Sequence, residues 1–197
     1  MARSSILAPH RLIIAGVVVV LFAVTFLFLR GPAPFQRLYY PLPDEYVPYI
    51  AASAARHDVN PYLVAAVINA ESDWREDVVS EAGAVGLMQV LPSTAREMQS
   101  HGRADPTLAE EPLSDPSANI EHGTAYLRFL VERYHEIEPA LAAYNAGLAN
   151  VDAWVQEGED IRETIEFPET RHYVLRVMRA RDRYAELYPG VFDGGGE

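Results

Sequence analysis

Apolar residues recur three or four positions apart along most of the chain after residue 44, which is the spacing of one face of an α-helix. Capping residues and prolines divide this pattern into separate segments. The predicted helices begin near residues 44, 61, 92, 116, 139, 148 and 168. No segment alternates convincingly as a long strand, and no internal repeat is visible. The sequence therefore predicts a mainly α domain.

One of these helices carries a carboxyl group on its apolar face. Val64, Val67, Ile68 and Glu71 share one side of a helix that Asn60 is well suited to cap. Charged groups are seldom buried without a partner, and burial raises the pKa of a carboxyl group. A carboxyl group that is still protonated near neutral pH can serve as the acid in the cleavage of a glycosidic bond. If the helix instead frays just before it, the same side chain is solvated.

An apolar run without charged residues precedes the domain. Residues 12–29 contain Thr25 as their only polar side chain and are just long enough for a transmembrane helix. We predict an uncleaved N-terminal anchor, with a cleaved secretory signal as the alternative. The resulting plan is a cytoplasmic N-terminus at 1–11, a transmembrane anchor at 12–29, an extended, proline-bearing spacer at 30–43, one folded domain at 44–190 and a flexible tail at 191–197.

The charge of the chain excludes some classes of partner. The sequence has 28 acidic residues against 16 basic ones, all of them arginine, and a formal net charge of −12 at pH 7. Such a surface repels nucleic acid, whereas a neutral or sugar-like ligand is compatible with it. There is no cysteine for a disulfide bond. The six histidines show no metal-ligand spacing and no phosphate-binding loop is present, so neither a metal nor another cofactor is expected.

Four short motifs follow one another between residues 69 and 174. They are NAESDW at 69–74, GLMQV at 86–90 with PSTA at 92–95, AYNAG at 143–147 and PETRHYV at 168–174. Each alone is a weak pattern, but in this order they resemble the catalytic domain of lytic transglycosylases of the soluble-lytic-transglycosylase (SLT) type. The resemblance covers Tyr46 to about Tyr188 and implies a mainly α, lysozyme-like fold within an α+β superfamily.

The resemblance assigns roles to seven positions. Glu71 matches the catalytic acid of the family, and six further residues match positions that contact the substrate or support that acid. These six are Ser80, Met88, Gln89, Tyr144, Asn145 and Tyr173. In particular, the resemblance implies that the hydroxyl group of Tyr144 bonds to the catalytic carboxyl group and orients it.

Several of these side chains also have an ordinary structural explanation. Met88 can fill a gap in the core, because thioether side chains adapt to irregular spaces. Tyr144 and Tyr173 can be core aromatic residues whose hydroxyl groups bond to the backbone. Gln89 and Asn145 can be turn or cap residues. The sequence alone leaves both explanations open for these five positions.

The resemblance also implies a reaction that uses a single carboxyl group. A member of this family cleaves the bond between N-acetylmuramic acid and N-acetylglucosamine in peptidoglycan without adding water, and it leaves a 1,6-anhydromuramic end. Glu71 would act first as the acid and then as the base. The expected partners are peptidoglycan glycan strands, the membrane through the N-terminal helix, and a cell-wall synthesis or envelope-spanning machinery. We expect a single-pass protein of the cytoplasmic membrane with its domain on the periplasmic side.

Two other functions remain open at this stage. A peptidoglycan hydrolase of the goose-lysozyme type on the same fold needs an activated water molecule and a second carboxyl group, for which Glu81 is the candidate. A non-catalytic peptidoglycan-binding scaffold needs no acid in an apolar pocket. The presence of Glu71 together with Gln89 and Tyr144 therefore argues against the scaffold.

Overall fold

The computed structural model describes residues 9–30, 33–155 and 160–193. The chain divides into two compact units, residues 1–41 and 42–197. The predicted N-terminal segment 1–11 and the predicted tail 191–197 lie partly outside the described residues, as does the last residue of the helix predicted over 148–156.

The first unit corrects the prediction of a transmembrane anchor. Its described residues form α1 (Pro9–Arg30) and α2 (Ala33–Tyr39). Within the part of the chain that the structure describes, no helix combines the length and the apolar character needed to cross a membrane. The predictions of an anchor and of a location in the cytoplasmic membrane are therefore wrong.

The segment that follows is helical rather than extended. Residues 33–39 form α2, within the predicted proline-bearing spacer. Pro34 lies in the first turn of this helix, where the missing backbone N–H removes no helical hydrogen bond. The presence of proline therefore does not prevent a helix at this position.

The second unit is helical, and none of its described residues belongs to a strand. Two 3₁₀ helices, Asp44–Tyr46 and Pro106–Leu108, accompany eight α-helices in this described part of the chain. These are α3 (Val47–His57), α4 (Pro61–Ser72), α5 (Pro92–Ser100), α6 (Pro116–Tyr134), α7 (Ile137–Ala146), α8 (Leu148–Trp154), α9 (Ile161–Thr164) and α10 (Pro168–Leu187). The prediction of a mainly α domain is confirmed.

Most helices begin where the sequence predicts. Asn60 caps α4, because its side-chain oxygen accepts hydrogen bonds from the backbone N–H groups of Tyr62 and Leu63. Helix α7 begins before Pro139, at Ile137, since proline is tolerated within the first turn. Helix α9 was not predicted, because one turn is too short to show a periodic pattern.

Helix α4 is deeply buried over its first half. Every side chain from Leu63 to Ile68 is buried, so this stretch is apolar on all sides rather than on one face. The helix packs against α3 and α10, while α6 packs against α3, α5 and α7. The C-terminal end of α4, where Glu71 lies, is thereby held against a helix that begins about a hundred residues later in the sequence.

The segment between α4 and α5 is a compact loop that is tied to α6. It contains two isolated antiparallel bridges, Val79 with Val85 and Val85 with Val90. Asn119 of α6 accepts a hydrogen bond from the backbone N–H of Met88 and donates one to the carbonyl oxygen of Val85, both at 2.8 Å. Because Asn119 is buried, these bonds hold the backbone of the GLMQV motif in place.

A buried carboxylate joins α6 to α3 and to the loop after α5. Four groups hydrogen-bond to Glu121 at 2.7–2.9 Å: the side chains of Ser53, Arg56 and His57, and the backbone N–H of Asp105. Burial alone would raise the pKa of Glu121, but the bonds from His57 and Ser53 outweigh it and lower the pKa to about 2. One charged group therefore connects three segments of the chain.

Candidate active site

Glu71 lies in the last turn of α4, which continues through Ser72. Asp73 ends the helix in the left-handed conformation with a φ of 52°, and Trp74 follows with a φ of 63°. Such values are uncommon for residues other than glycine, and two in succession turn the chain sharply. The helix therefore does not fray after Ala70, and the prediction that Glu71 belongs to it is confirmed.

The indole ring of Trp74 fixes this turn. Its Nε1 donates a hydrogen bond to the hydroxyl group of Tyr184 on α10 at 3.2 Å. The ring also stacks on Tyr46, with 5.9 Å between the ring centroids. Aromatic contacts of this kind add to the stabilisation from burial. The tryptophan of the NAESDW motif thus holds the end of α4 at a defined place beside α10.

The environment of Glu71 is that of a protonated acid. Burial raises the pKa of its carboxyl group from an ordinary 4.5 to about 7. The nearby hydroxyl group of Tyr173 and the positive charge of Arg176 both act to lower the pKa, but they offset burial only in part. The Glu71 carboxyl group therefore keeps its proton to a higher pH than an exposed glutamate does.

Tyr173 and Arg176 reach Glu71 from one face of α10, where they lie three positions apart. Tyr173 is 4% exposed, and its hydroxyl group is close enough to Glu71 to affect the pKa of that carboxyl. Within the described residues, however, this hydroxyl has no hydrogen bond of regular geometry. Arg176 donates from Nη2 to the carbonyl oxygen of Ala70 at 2.9 Å. The structure thus brings two side chains to the carboxyl group, of which Tyr173 alone is among the predicted site residues.

Tyr144 holds the loop rather than bonding directly to the carboxyl group. Its hydroxyl group donates a hydrogen bond to the carbonyl oxygen of Met88 at 2.8 Å. Burial, and after it the negative charge of Glu71, raise the pKa of Tyr144 well above its ordinary value. The ring therefore lies near Glu71, while the hydrogen bond recorded for it supports the backbone of the GLMQV motif.

Gln89, Tyr144 and Asn145 line a cleft of about 280 Å³ between the GLMQV loop, α5 and the end of α7. Gln89 has a φ of 48°, and its Nε2 donates to the carbonyl oxygens of Val78 and Gly86 at 3.1 and 2.9 Å. The exposed Asn145 accepts a hydrogen bond from the hydroxyl group of Thr170 at 2.8 Å. These bonds hold both amide side chains at the wall of the cleft.

Met88 and Ser80 are placed differently from the other predicted site residues. The side chain of Met88 is fully buried beside Gly123 and Thr124 of α6, so its backbone carbonyl is the part that interacts with Tyr144. The hydroxyl group of Ser80 accepts a hydrogen bond from the backbone N–H of Ala84 at 3.0 Å and closes a turn of the loop. The recorded contacts of both residues are structural.

Glu71 has no close carboxylate partner among the described residues. The side-chain interactions that shift its pKa come from Tyr173 and Arg176. Asp73 and Glu81 are exposed, and Glu76 accepts a hydrogen bond from Tyr46 at 3.1 Å. In the same part of the chain, no group of three or more His, Cys, Asp or Glu residues is arranged to hold a metal ion.

Sequence reasoning missed Arg176, Thr170 and Asn119. Arg176 and Thr170 lie in or just after the fourth motif, and their helical spacing from Tyr173 was the available signal. Asn119 lies in the middle of an apolar helical pattern, where an amide side chain needs buried partners. A polar residue at an apolar position could therefore have been predicted to form buried hydrogen bonds.

Together these features define a helical domain with one half-buried acid at the end of a central helix. Glu71 does not itself line the cleft, but the nearby Tyr144 does. A family model described as the transglycosylase SLT domain matches residues 48–165, more than half of the chain. The chain therefore belongs to the transglycosylase SLT domain family. The family predicted from the four motifs is confirmed, and with it the class of a lytic transglycosylase domain.

Relatives with this domain are much longer proteins. The chain is 33% identical over 140 residues to the soluble lytic murein transglycosylase of Salmonella typhimurium, covering 68% of this chain and 22% of that protein. It is 34% identical over 132 residues to the soluble lytic murein transglycosylase of Escherichia coli K12, covering 64% of this chain and 20% of that protein. The chain thus spans between a fifth and about a quarter of the length of these soluble relatives, and less than half of the other curated relatives it matches.

The fold agrees with that of a solved relative. An inactive glutamate-to-glutamine mutant of the lytic transglycosylase Slt from Pseudomonas aeruginosa superposes with a TM-score of 0.67 at 27% sequence identity. The superposition covers 85% of this chain and 29% of that one. The similarity therefore extends over most of the chain.

Proposed function

We propose that this chain is a peptidoglycan lytic transglycosylase in which Glu71 is the catalytic acid. The names of its relatives support the reaction class and the murein substrate. The observation that carries the assignment of the acid is the burial of Glu71, which raises the pKa of the carboxyl group to about 7. A carboxyl group with such a pKa can donate a proton at neutral pH and take one back afterwards.

In the first step, Glu71 donates its proton to the oxygen that links N-acetylmuramic acid to N-acetylglucosamine. The C1–O bond of the muramic acid breaks, and the N-acetylglucosamine part leaves with a free hydroxyl group. The positive charge that develops at C1 is stabilised by the acetamido group on C2 of the same sugar. The substrate thereby replaces the second carboxylate that most glycosidases supply. This suits a site in which Asp73 and Glu81 are exposed.

In the second step, the ionised Glu71 accepts the proton of the C6 hydroxyl group as that oxygen attacks C1. A C6–O–C1 bond forms, the acetamido oxygen is released, and the product is a 1,6-anhydromuramic end. Glu71 is protonated again, so no water is consumed. Water must be kept away from C1 during this step. Burial of the Glu71 carboxyl group supports such exclusion.

Each neighbouring residue has a proposed part in these steps. The unpaired hydroxyl group of Tyr173 is available to bond to the carboxylate when Glu71 ionises. Tyr144 positions the loop through the carbonyl oxygen of Met88. Gln89 and Asn145 form the wall that the glycan strand contacts. We assign Met88 and Ser80 to the support of that wall, because their recorded contacts lie within the protein.

The test is mass analysis of the products released from purified peptidoglycan by the full chain. Products that are one water molecule lighter than those of a lysozyme, with no reducing muramic end, are expected. Glu71→Gln should lower the rate by at least about a thousandfold, because an amide cannot transfer the proton. Circular dichroism and thermal unfolding should show that this variant is folded.

Glu81→Gln is the matched control, because Glu81 is an exposed carboxyl group in the neighbouring loop. Its activity should equal that of the unsubstituted chain. Reducing ends together with a large loss of activity in Glu81→Gln would assign a hydrolase with two carboxyl groups. No products from a folded chain that still binds peptidoglycan would assign a binding scaffold. Either result contradicts the proposed function.

A further inference from the structure

Two amide side chains in the wall of the cleft are oriented by hydrogen bonds within the protein. The Nε2 of Gln89 donates to the carbonyl oxygens of Val78 and Gly86, so this amide is held by its nitrogen. Asn145 is held the other way round, because its Oδ1 accepts a hydrogen bond of 2.8 Å from the hydroxyl group of Thr170. The oxygen and the nitrogen of an amide lie on either side of one planar carbon. The Nδ2 of Asn145 is therefore turned away from Thr170.

The surroundings of Thr170 explain why Asn145 takes this orientation. Thr170 lies in the first turn of α10 and is 1% exposed, whereas Asn145 lies in the last turn of α7 and is exposed. A threonine hydroxyl has one proton to donate, and within the described part of the chain this proton is donated to Oδ1 of Asn145. With the amide turned over, Nδ2 would face the hydroxyl oxygen and the proton would lose its acceptor in a buried place. Such unpaired donors are unfavourable, so Thr170 selects one of the two orientations.

The nitrogen of Asn145 is the polar atom that this arrangement leaves to the cleft. Asn145 lines the cleft together with Gln89 and Tyr144. The hydrogen bond recorded for its side chain among the described residues is made by the oxygen, with Thr170. An amide nitrogen is a donor and not an acceptor. The end of α7 thus offers a ligand in the cleft one hydrogen-bond donor of fixed direction.

We propose that Thr170 is a positioning residue for the glycan strand, because it holds the Asn145 amide with Nδ2 directed at an uncharged acceptor oxygen of a sugar. The inference rests on the proposed function for the choice of a glycan as the ligand. Because Thr170 is buried, it acts through Asn145 rather than by touching the strand. A donor that is already oriented loses less conformational freedom when the strand binds, which increases the affinity.

The test is binding of the N-acetylglucosamine tetramer to the full chain. Titration calorimetry gives the affinity, and the side-chain amide signal of Asn145 in nuclear magnetic resonance reports the contact. We expect this signal to shift with the tetramer. Asn145→Ala should weaken binding about tenfold, the effect of losing one hydrogen bond. Asn145→Asp keeps the acceptor for Thr170 but has no donor for the sugar, so it should weaken binding at least as much.

Thr170→Val and Thr170→Ser form a matched pair. Valine has nearly the shape of threonine but no hydroxyl group, so the amide is free to turn and binding should weaken about fivefold. Serine keeps the hydroxyl group, and its affinity should stay within about twofold of that of the unsubstituted chain. Combined with Asn145→Ala, the change Thr170→Val should have no further effect, because the side chain that it orients is gone. A purely structural role of Thr170 would weaken binding by the same factor in both backgrounds.

Four results would overturn the inference. The Asn145 signal stays unchanged with the tetramer, Asn145→Asp binds as tightly as the unsubstituted chain, Thr170→Val binds with unchanged affinity, or Thr170→Val weakens binding equally with and without Asn145→Ala. The signal of the unsubstituted chain decides even where a variant fails to fold. The tetramer contains no muramic acid, so it is not a substrate of the proposed reaction. Failure of the proposed function is detected separately by the products from peptidoglycan.

Discussion

Arg176 donates a hydrogen bond from Nη2 to the carbonyl oxygen of Ala70 at 2.9 Å, and its positive charge lowers the pKa of the adjacent Glu71. One side chain of α10 therefore both holds the last turn of α4 and opposes the effect of burial on the acid. Burial remains the larger influence, because the pKa still rises to about 7. The pKa of Glu71 thus depends on two opposing effects: burial at the end of α4 raises it, and the charge of Arg176 on α10 lowers it.

Replacement of Arg176 should alter the pH dependence of cleavage. Arg176→Gln removes the positive charge, so the pKa of Glu71 should rise further and the loss of activity at alkaline pH should shift upward by about 0.5–1 pH unit. The measurement is the pH profile of kcat/KM on purified peptidoglycan. Arg179→Gln, an exposed change one turn along α10, is the control and should leave the profile unchanged. An identical profile for both variants would show that Arg176 does not act on Glu71.

The raised pKa of Glu71 should also be visible in stability. Because the pKa in the folded state lies above the ordinary 4.5, ionisation favours the unfolded chain, and stability is lost as the pH rises towards 7. Glu71→Gln does not ionise. It should match the unsubstituted chain near pH 4 and exceed its free energy of unfolding by about 3 kcal/mol above pH 7. Denaturant unfolding at several pH values measures this difference, and a constant difference would contradict it.

The positions of most helices follow from local signals in the sequence. Asn60 before Pro61, and Asp115 before Pro116, are cap and first-turn residues, and the structure uses all four in this way. Such signals act over a few residues, so they can be recognised from the sequence without knowledge of the fold. Helix α9 has no comparable length, and it was missed for that reason.

The sequence predicts only part of the environment of Glu71. Its place in an apolar pattern predicts burial, and burial is the main cause of the raised pKa. Its neighbours Tyr173 and Arg176 come from α10, and an arginine in a polar helix looks like any solvated charge. The bond from Tyr144 to the carbonyl oxygen of Met88 likewise depends on how α7 meets the loop. Long-range packing determines these contacts, and no local pattern encodes it.

The predicted anchor shows that apolar composition and length alone do not identify a membrane-spanning helix. Apolar character and length at 12–29 satisfy the lower bound for a transmembrane helix, and these two features led to the prediction of a membrane helix. A segment at the lower bound is also compatible with other roles. The same holds for 33–39, where proline suggested an extended chain but occupies the tolerant first turn of α2.

Replacement of Glu121 should destabilise the second unit more than replacement of an exposed glutamate does. Its pKa of about 2 lies below the ordinary 4.5, so it contributes stability above about pH 4.5 that is lost as the pH falls towards 2. Glu121→Gln should lower the free energy of unfolding by about 3 kcal/mol at pH 7, with a smaller deficit in acid. Glu132→Gln, at exposed salt bridges to Arg103 and Arg128, is the control and should cost less than about 1 kcal/mol. Equal losses in the two variants would contradict the role of the buried cluster.

Two glycines of the loop before α5 offer a matched pair that tests how tightly the GLMQV motif is held. Gly83 and Gly86 both have a positive φ, 81° and 76°. A Cβ atom on Gly83 would meet nothing within 4 Å, whereas one on Gly86 would lie 2.5 Å from Nδ2 of Asn119 and 3.0 Å from the carbonyl oxygen of Leu113. Alanine therefore brings backbone strain at both positions, but a collision only at Gly86.

Gly83→Ala should cost about 1–2 kcal/mol from strain, and Gly86→Ala about 2–4 kcal/mol from strain and overpacking together. Because Asn119 also binds the backbone N–H of Met88, the second change should displace the loop that Tyr144 supports. Gly86→Ala should thus lower kcat on peptidoglycan at least tenfold under conditions where both variants are folded, while Gly83→Ala keeps most of its activity. Denaturant unfolding and turnover measure the two effects. Equal values for the two variants would mean that Asn119 does not hold the loop at the site.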